Sequence, residues 1–295
     1  MADFRLDQAA GLRRLLGGSS LQVVTFVAGC EGVGRSVAVA NLGVALARLG
    51  KEVLIIDEHH TGDDIAGFFG LSARFDLLNV VQQEKPLSQV VLRPMHGLGV
   101  LPAAHAARKL GRLSVQQQKV LLEAIGGLEK PVDVILVDAS IQHPQGISPF
   151  GLVSQETVVV LSSNGAAITE AYALIKKVSK LFARRHFRIL VNKVRAQDDA
   201  RSIFDNIAHV AAQRGVATLD YAGAIPLDEA IRQAAQLGRS VLTHAPEAPS
   251  AAAFRDLASD IQYWQQSQGE QGGVEYFMQQ LLHLSQRITP NAIRA

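Results

Sequence analysis

The chain has 295 residues, 48% of them hydrophobic and 19% charged, with a formal net charge of +2. That composition excludes a disordered chain, and so small a net charge makes nucleic acid an unlikely partner. A single cysteine excludes a disulfide framework and a cysteine-based metal cluster, which fits a reducing, cytoplasmic setting. No apolar run reaches the ~18 residues of a membrane span, and the N-terminus lacks the apolar stretch of a secretory signal.

Residues 1–18 precede the first strand. Leu6, Ala9, Ala10, Leu12, Leu15 and Leu16 could line a short helix bearing Arg5, Arg13 and Arg14. Gly11 in its middle costs about 1 kcal/mol relative to alanine, and a helix this short is marginal in water. Gly17-Gly18-Ser19-Ser20 reads as a hinge. The segment is either a frayed terminus or an arm that folds on a partner.

An apolar run over 21–27 reads as a buried strand, and a helical pattern follows over 37–49. Between them lies Gly29-Cys30-Glu31-Gly32-Val33-Gly34-Arg35-Ser36. Strand, glycine-rich turn and helix form the context of a phosphate-binding loop: glycines let backbone N–H groups converge on an anion, and the helix N-terminus adds partial positive charge. Against G-x-x-x-x-G-K-[ST] the end glycines and the hydroxyl are kept, and Arg35 stands where the lysine belongs.

A second strand over 51–56 ends in Asp57, and a fourth over 132–137 ends in Asp138, with a short third strand over 98–101 and a helix over 114–128 between them. An acid closing a buried strand beside such a loop is the arrangement that holds magnesium or its waters, so Ser36, Asp57 and Asp138 are the candidate metal residues. The alternation continues with strands over 157–162, 188–192 and 219–224, and helices over 166–182, 198–214, from 228, and 250–264. Strands apolar throughout and separated by helices predict an α/β fold with a mostly parallel sheet covered on both faces. A polar stretch over 266–273 reads as a linker. Beyond it Val274, Phe277, Met278, Leu281, Leu282 and Ile288 recur at helical spacing. That helix could lie on its own core, on a partner, or on a membrane surface.

Taken together, these segments resemble the MinD/ParA class of deviant Walker P-loop ATPases, and within it the FlhG (FleN) branch that controls flagellar number and placement. The branch-specific matches are residues 7–15, 170–176, 220–226 and 273–277. Asp7, Gln8, Leu12, Arg13 and Leu15 fall in a segment similar to that branch's N-terminal motif, which stimulates the FlhF-type signal-recognition-like GTPase. The resemblance therefore implies an arm over 1–18, a P-loop domain over 19–265, a linker over 266–273 and a C-terminal amphipathic helix and tail over 274–295. It implies nucleotide contacts from Gly29, Gly32, Val33, Gly34, Arg35 and Ser36, with Asn192 and Lys193 at the adenine position, and ATP or ADP with magnesium as the ligand. It implies a homodimer, flagellar basal-body or regulatory proteins as further partners, and a membrane-targeting role for Phe277, Met278, Leu281 and Leu282 that would place the chain on the inner face of the cell membrane.

The departures fall on the phosphate side. The family loop reads Lys-Gly-Gly-Val-Gly-Lys-Thr-Thr; here Cys30 replaces the signature lysine, Glu31 a glycine and Arg35 the second lysine. A carboxylate ~5 Å from a phosphate oxygen costs about 3 kcal/mol per unit charge at an effective dielectric near ~20. His59 stands where the family's second acid positions the attacking water, and the stretch from Asp138 to Gln142 lacks the switch glycine. No residue is therefore assigned as catalytic, and a pairing of Glu31 with Arg35 inside the loop is expected. The reading is a flagellar regulator that acts by protein contact with ATP hydrolysis lost or strongly impaired. The alternative is an active ATP-driven dimerisation switch with slow turnover on the membrane. A biosynthetic amidotransferase would need a cysteine nucleophile, and Cys30 lies in the loop.

Overall fold

The computed structural model describes residues 21–60, 64–128, 131–140, 147–264 and 273–288. The expected arm with its hinge, nearly all of the expected linker, Gln142 of the switch segment and the tail after 288 lie outside the described residues. Among the described residues eight strands form one sheet: β1 (Gln22–Ala28), β2 (Val53–Asp57), β3 (Leu92–Met95), β4 (Leu98–Pro102), β5 (Val134–Asp138), β6 (Glu156–Ser162), β7 (His186–Val194) and β8 (Thr218–Pro226). Their spatial order is β3-β4-β2-β5-β1-β6-β7-β8, and every pairing is parallel except β3 with β4.

The six longer helices are α1 (Arg35–Arg48), α2 (Val115–Gly126), α3 (Gly165–Phe182), α4 (Gln197–Gln213), α5 (Pro249–Ile261) and α6 (Val274–Ile288). Their starts follow from local chemistry. Ser114 and Gln117 form a capping box on α2, and the Asn164 side chain accepts from the Ala167 N–H on α3. One apolar layer carries Val39, Leu42 and Leu46 of α1 with Phe254 and Leu257 of α5. The opposite layer holds Leu121 of α2, Ile175 of α3, Ile207 of α4 and the buried face of α6. Because both faces are covered, β1, β2 and β5 are buried at every position.

Sequence reading missed β3, whose Leu-Arg-Pro-Met is neither continuous nor alternating. A proline is tolerated there because β3 is an edge strand. Also missed were short helices at Ile65–Phe68, Leu77–Val81, Leu87–Val90, Ala104–Lys109, Pro149–Val153 and Val241–His244. Each is too brief to show a helical period.

Helix α6 packs on the Pro149–Val153 helix, the Leu110–Arg112 turn and α2. Phe277, Met278, Leu281 and Leu282 are all buried there. Among the described residues no helix is long and apolar enough to cross a membrane.

Candidate functional site

The parallel register places the site. Asp57 at the end of β2 lies opposite Asp138 at the end of β5, and Asp138 lies opposite Phe26 of β1. Two carboxylates thus stand on adjacent strands, ~4.8 Å apart in the pairing direction, beside the loop that leaves β1. The loop itself is tightly held. Gly29 passes so close to α3 that a Cβ there would come within 2.3 Å of the Glu170 carbonyl carbon. Gly34 has φ +85°, and a Cβ on it would come within 2.5 Å of the Asn192 amide nitrogen. Gly34 is also the N-cap of α1, and no side chain caps that helix or places an acid in its first turn. Uncapped N–H groups at a helix start are an anion site.

Arg35 does not extend toward that anion position. Its Nε donates to Asp138 Oδ1 at 2.6 Å, and its Nη2 lies against His59 Nε2. Both Arg35 and Asp138 are buried, the aspartate fully. Glu31 is exposed. The expected Glu31–Arg35 pair is therefore wrong: Arg35 is the first residue of α1 and points inward across the strand ends, whereas Glu31 lies on the outer side of the loop.

His59 sits between the two aspartates, its Nδ1 2.9 Å from Asp57 Oδ1 and 3.2 Å from Asp138 Oδ2. Burial disfavours the imidazolium, but the hydrogen bonds to Asp138 and Asp57 outweigh it and push the His59 pKa up to about 9, against the opposing charge of Arg35. The two aspartates move apart. Burial and the nearby Asp138 raise Asp57, despite its hydrogen bond from His59. Asp138 is also penalised by burial, yet Arg35 and His59 bring it below the ordinary aspartate value. The Ser36 side chain bonds the same carboxylate, so all three expected metal residues converge.

Glu58 has a role that sequence reading overlooked. It is buried, accepts from the Ser140 N–H at 3.0 Å and bonds the Ser148 hydroxyl. Burial raises its pKa to about 7, although both hydrogen bonds oppose the shift. A glutamate directly following a buried strand was the available signal. Asn192 and Lys193, expected at the base, brace the loop: Asn192 Nδ2 donates to the Val33 carbonyl at 2.8 Å and Lys193 Nζ to the Gly32 carbonyl at 2.6 Å. Lys193 adopts φ 58°, unusual for a non-glycine residue. Cys30 is half-buried.

Residues 24–241 match the family described as the CobQ/CobB/MinD/ParA nucleotide binding domain. The chain belongs to that family. It is similar to the antiactivator FleN of Pseudomonas aeruginosa, 29% identical over 262 residues that cover 89% of this chain and 94% of the relative. It is also similar to the flagellum site-determining protein YlxH of Helicobacter pylori, 26% identical over 204 residues covering 68% of each. Among solved structures, the septum site-determining protein MinD of Pyrococcus horikoshii in complex with Mg-ADP aligns with TM-score 0.61 and 20% identity, covering 82% of this chain and 96% of that one. The likeness is one of fold.

Nucleotide and magnesium are the groups this family implies, and this site treats them differently. The loop, the uncapped start of α1 and its left-handed glycine fit a polyphosphate. A magnesium ion would compete with Arg35 and His59 for the carboxylates it needs. If both were bound, the backbone of residues 32–36 would hold the phosphates, and magnesium would supply charge neutralisation there.

Proposed function

We propose that this chain regulates flagellar number or placement by binding other proteins, with ATP hydrolysis lost or strongly impaired. The flagellar half draws support from the likeness to FleN and to YlxH, whose name states a flagellum site-determining role. One observation carries the other half: the only cation at the lysine position of the loop, Arg35, is bonded to Asp138. Transition-state charge on a transferring phosphoryl group is stabilised by a loop cation and a metal held at that aspartate. Here the cation and the aspartate neutralise each other. His59, in place of a carboxylate that would orient water, is held between Asp57 and Asp138. ADP or ATP, with or without magnesium, then binds weakly and serves structure rather than turnover.

On this reading the partners are an FlhF-type GTPase, flagellar regulatory or basal-body proteins, and a second copy of the chain. The seat of GTPase stimulation is residues 5–16, with Asp7, Gln8, Leu12, Arg13 and Leu15 as contacts. A marginal helix behind a glycine hinge gains order on a partner rather than contributing to the core. Deleting residues 1–18 should leave the thermal midpoint within about 2 °C of the full chain, on the scale by which ~1 kcal/mol moves a domain of this size, and should abolish stimulation of the GTPase. Stimulation that survives the deletion would place the contact elsewhere. The chain works in the cytoplasm, and α6 remains on its own domain rather than anchoring it to the membrane.

A further inference from the structure

We propose that residues 5–16 of this same chain dock in the groove between α5 and β8. The groove is about 490 Å³, a ligand-sized volume. Its floor is apolar and built from Ala222 and Ala224 of β8 with Ala252, Ala253 and Leu257 of α5. Gly223 lies between the two β8 alanines, where β8 slips register against β7, and a Cβ there would meet nothing within 4 Å. β8 is the last strand of the sheet, so among the described residues no further strand covers this edge. The charged groups stand on the rim: Asp256 and Asp260, one turn apart on α5, and Arg195 after β7, all of them exposed. A small polar ligand would need polar groups converging from the walls, whereas an apolar floor with charges at its rim fits an amphipathic helix.

The place where the chain leaves the domain selects the occupant. The described residues begin at Leu21, and the next side chain, Gln22, donates from Nε2 to the Ile261 carbonyl at 2.7 Å. Ile261 ends α5 and directly follows Asp260. The preceding segment therefore enters beside the acidic end of the groove. Residues 17–20, fully extended, span about 13 Å, enough to cross the ~10 Å width of a helix. A helix over 5–16 is ~18 Å long at 1.5 Å per residue, the same as the stretch of α5 from Pro249 to Asp260 that walls the groove.

Charge fits as well as length. Leu6, Ala9, Ala10, Arg13 and Leu16 recur at i, i+3, i+4, i+7 and i+10, so a helix here carries an arginine within its apolar face. A guanidinium laid against a surface needs a carboxylate there. Asp256 and Asp260 supply two, and neither has an ion-pair partner among the described residues. The direction agrees too. With its C-terminal end at the hinge, the segment runs parallel to α5 and sets Arg13 and Arg14 beside the two aspartates. Its other end, where Asp3 and Asp7 outnumber Arg5, then points toward Arg195, next to the Val194–Pro226 pairing. Docking requires neither nucleotide nor GTPase. That it would withhold residues 5–16 from a GTPase is a consequence resting on the functional reading above, and the docking itself is tested without it.

The test is disulfide trapping in the nucleotide-free full chain, made in Cys30→Ser so that no other thiol is present. With Arg13 beside Asp256, Ala9 falls beside Ala252, each one turn earlier on its helix. Ala9→Cys with Ala252→Cys should therefore close within the chain under oxidised glutathione about fivefold faster than Ala9→Cys with Arg255→Cys, whose cysteine is on the same helix but exposed and outside the groove. A fivefold preference corresponds to ~1 kcal/mol, in keeping with the small midpoint change expected of the deletion. Arg13→Asp, which leaves the domain untouched, should slow closure to the control rate, and adding Asp256→Arg with Asp260→Arg should restore it. Equal rates for the two cysteine pairs, a rate unmoved by Arg13→Asp, or no recovery in the charge swap would overturn the proposal. So would a disulfide formed between chains, since the groove would then hold the segment of a second copy.

Discussion

Arg35→Ala should lower the unfolding free energy by about 3–5 kcal/mol, the cost of leaving one partner of a buried ion pair unmatched. At the lysine position of a working phosphate loop the cation serves the ligand, and its removal from the ligand-free chain would cost little. Here it serves the fold. Arg35 is 8% exposed and Asp138 fully buried, so solvent does little to screen the loss. His59 remains near Asp138 and offsets part of it. Removing the charge on the other side as well, in Arg35→Ala with Asp138→Asn, should recover much of the stability, because no buried charge is then stranded. Urea unfolding of the three proteins gives both numbers. A loss below about 1 kcal/mol for Arg35→Ala, the range of exposed pairs, would contradict the buried bridge.

Leu281→Ala should cost about 2–5 kcal/mol, the range for a leucine truncated in a packed core. The residue is on a C-terminal helix beyond an expected linker, where a helix that spends its time on lipid would show almost no effect. Leu281 is 0% exposed, and Phe277, Met278 and Leu282 are buried with it. Burial of a large apolar side chain is worth about 1.5–3 kcal/mol, so these four together hold α6 down firmly. Its polar positions add little attraction to anionic lipid, since among Glu275, Gln279, Gln280, His283, Gln286 and Arg287 only the arginine is a firm positive charge. Flotation with anionic liposomes should accordingly recover little of the wild-type chain, with or without ATP. A stability change under about 0.5 kcal/mol, together with strong flotation lost in Phe277→Asp, would restore the membrane-anchor reading.

Much of the fold was legible because a strand buried on both faces is written as an uninterrupted apolar run. Residues 21–27 and 132–137 can hardly be anything else, the first followed and the second preceded by a helical pattern at a workable distance. The sheet's edge was not legible, because Leu92–Met95 mixes arginine and proline into four residues and pairs on one side only. The loop and both strand-end aspartates were visible as types in sequence. Their mutual geometry was not, since the Asp57–Asp138 alignment is a property of register between strands far apart in the chain. Spacing alone brought Glu31 and Arg35 together; the structure separates them because the first residue of a helix projects in a direction that the three intervening positions do not reveal. His59 could be recognised as a lost acid, but its seat between two carboxylates follows from the same register.

Steady-state phosphate release from ATP by the purified full chain tests the central claim most directly. The ion pair between Arg35 and Asp138 predicts a rate equal to the no-enzyme blank, with magnesium present and at saturating ATP. Ser36 is only half-buried and its removal leaves the Arg35–Asp138 pair intact, so Ser36→Ala separates the chain's own activity from a contaminant. Release above the blank that Ser36→Ala abolishes would contradict the account and establish an active ATP switch.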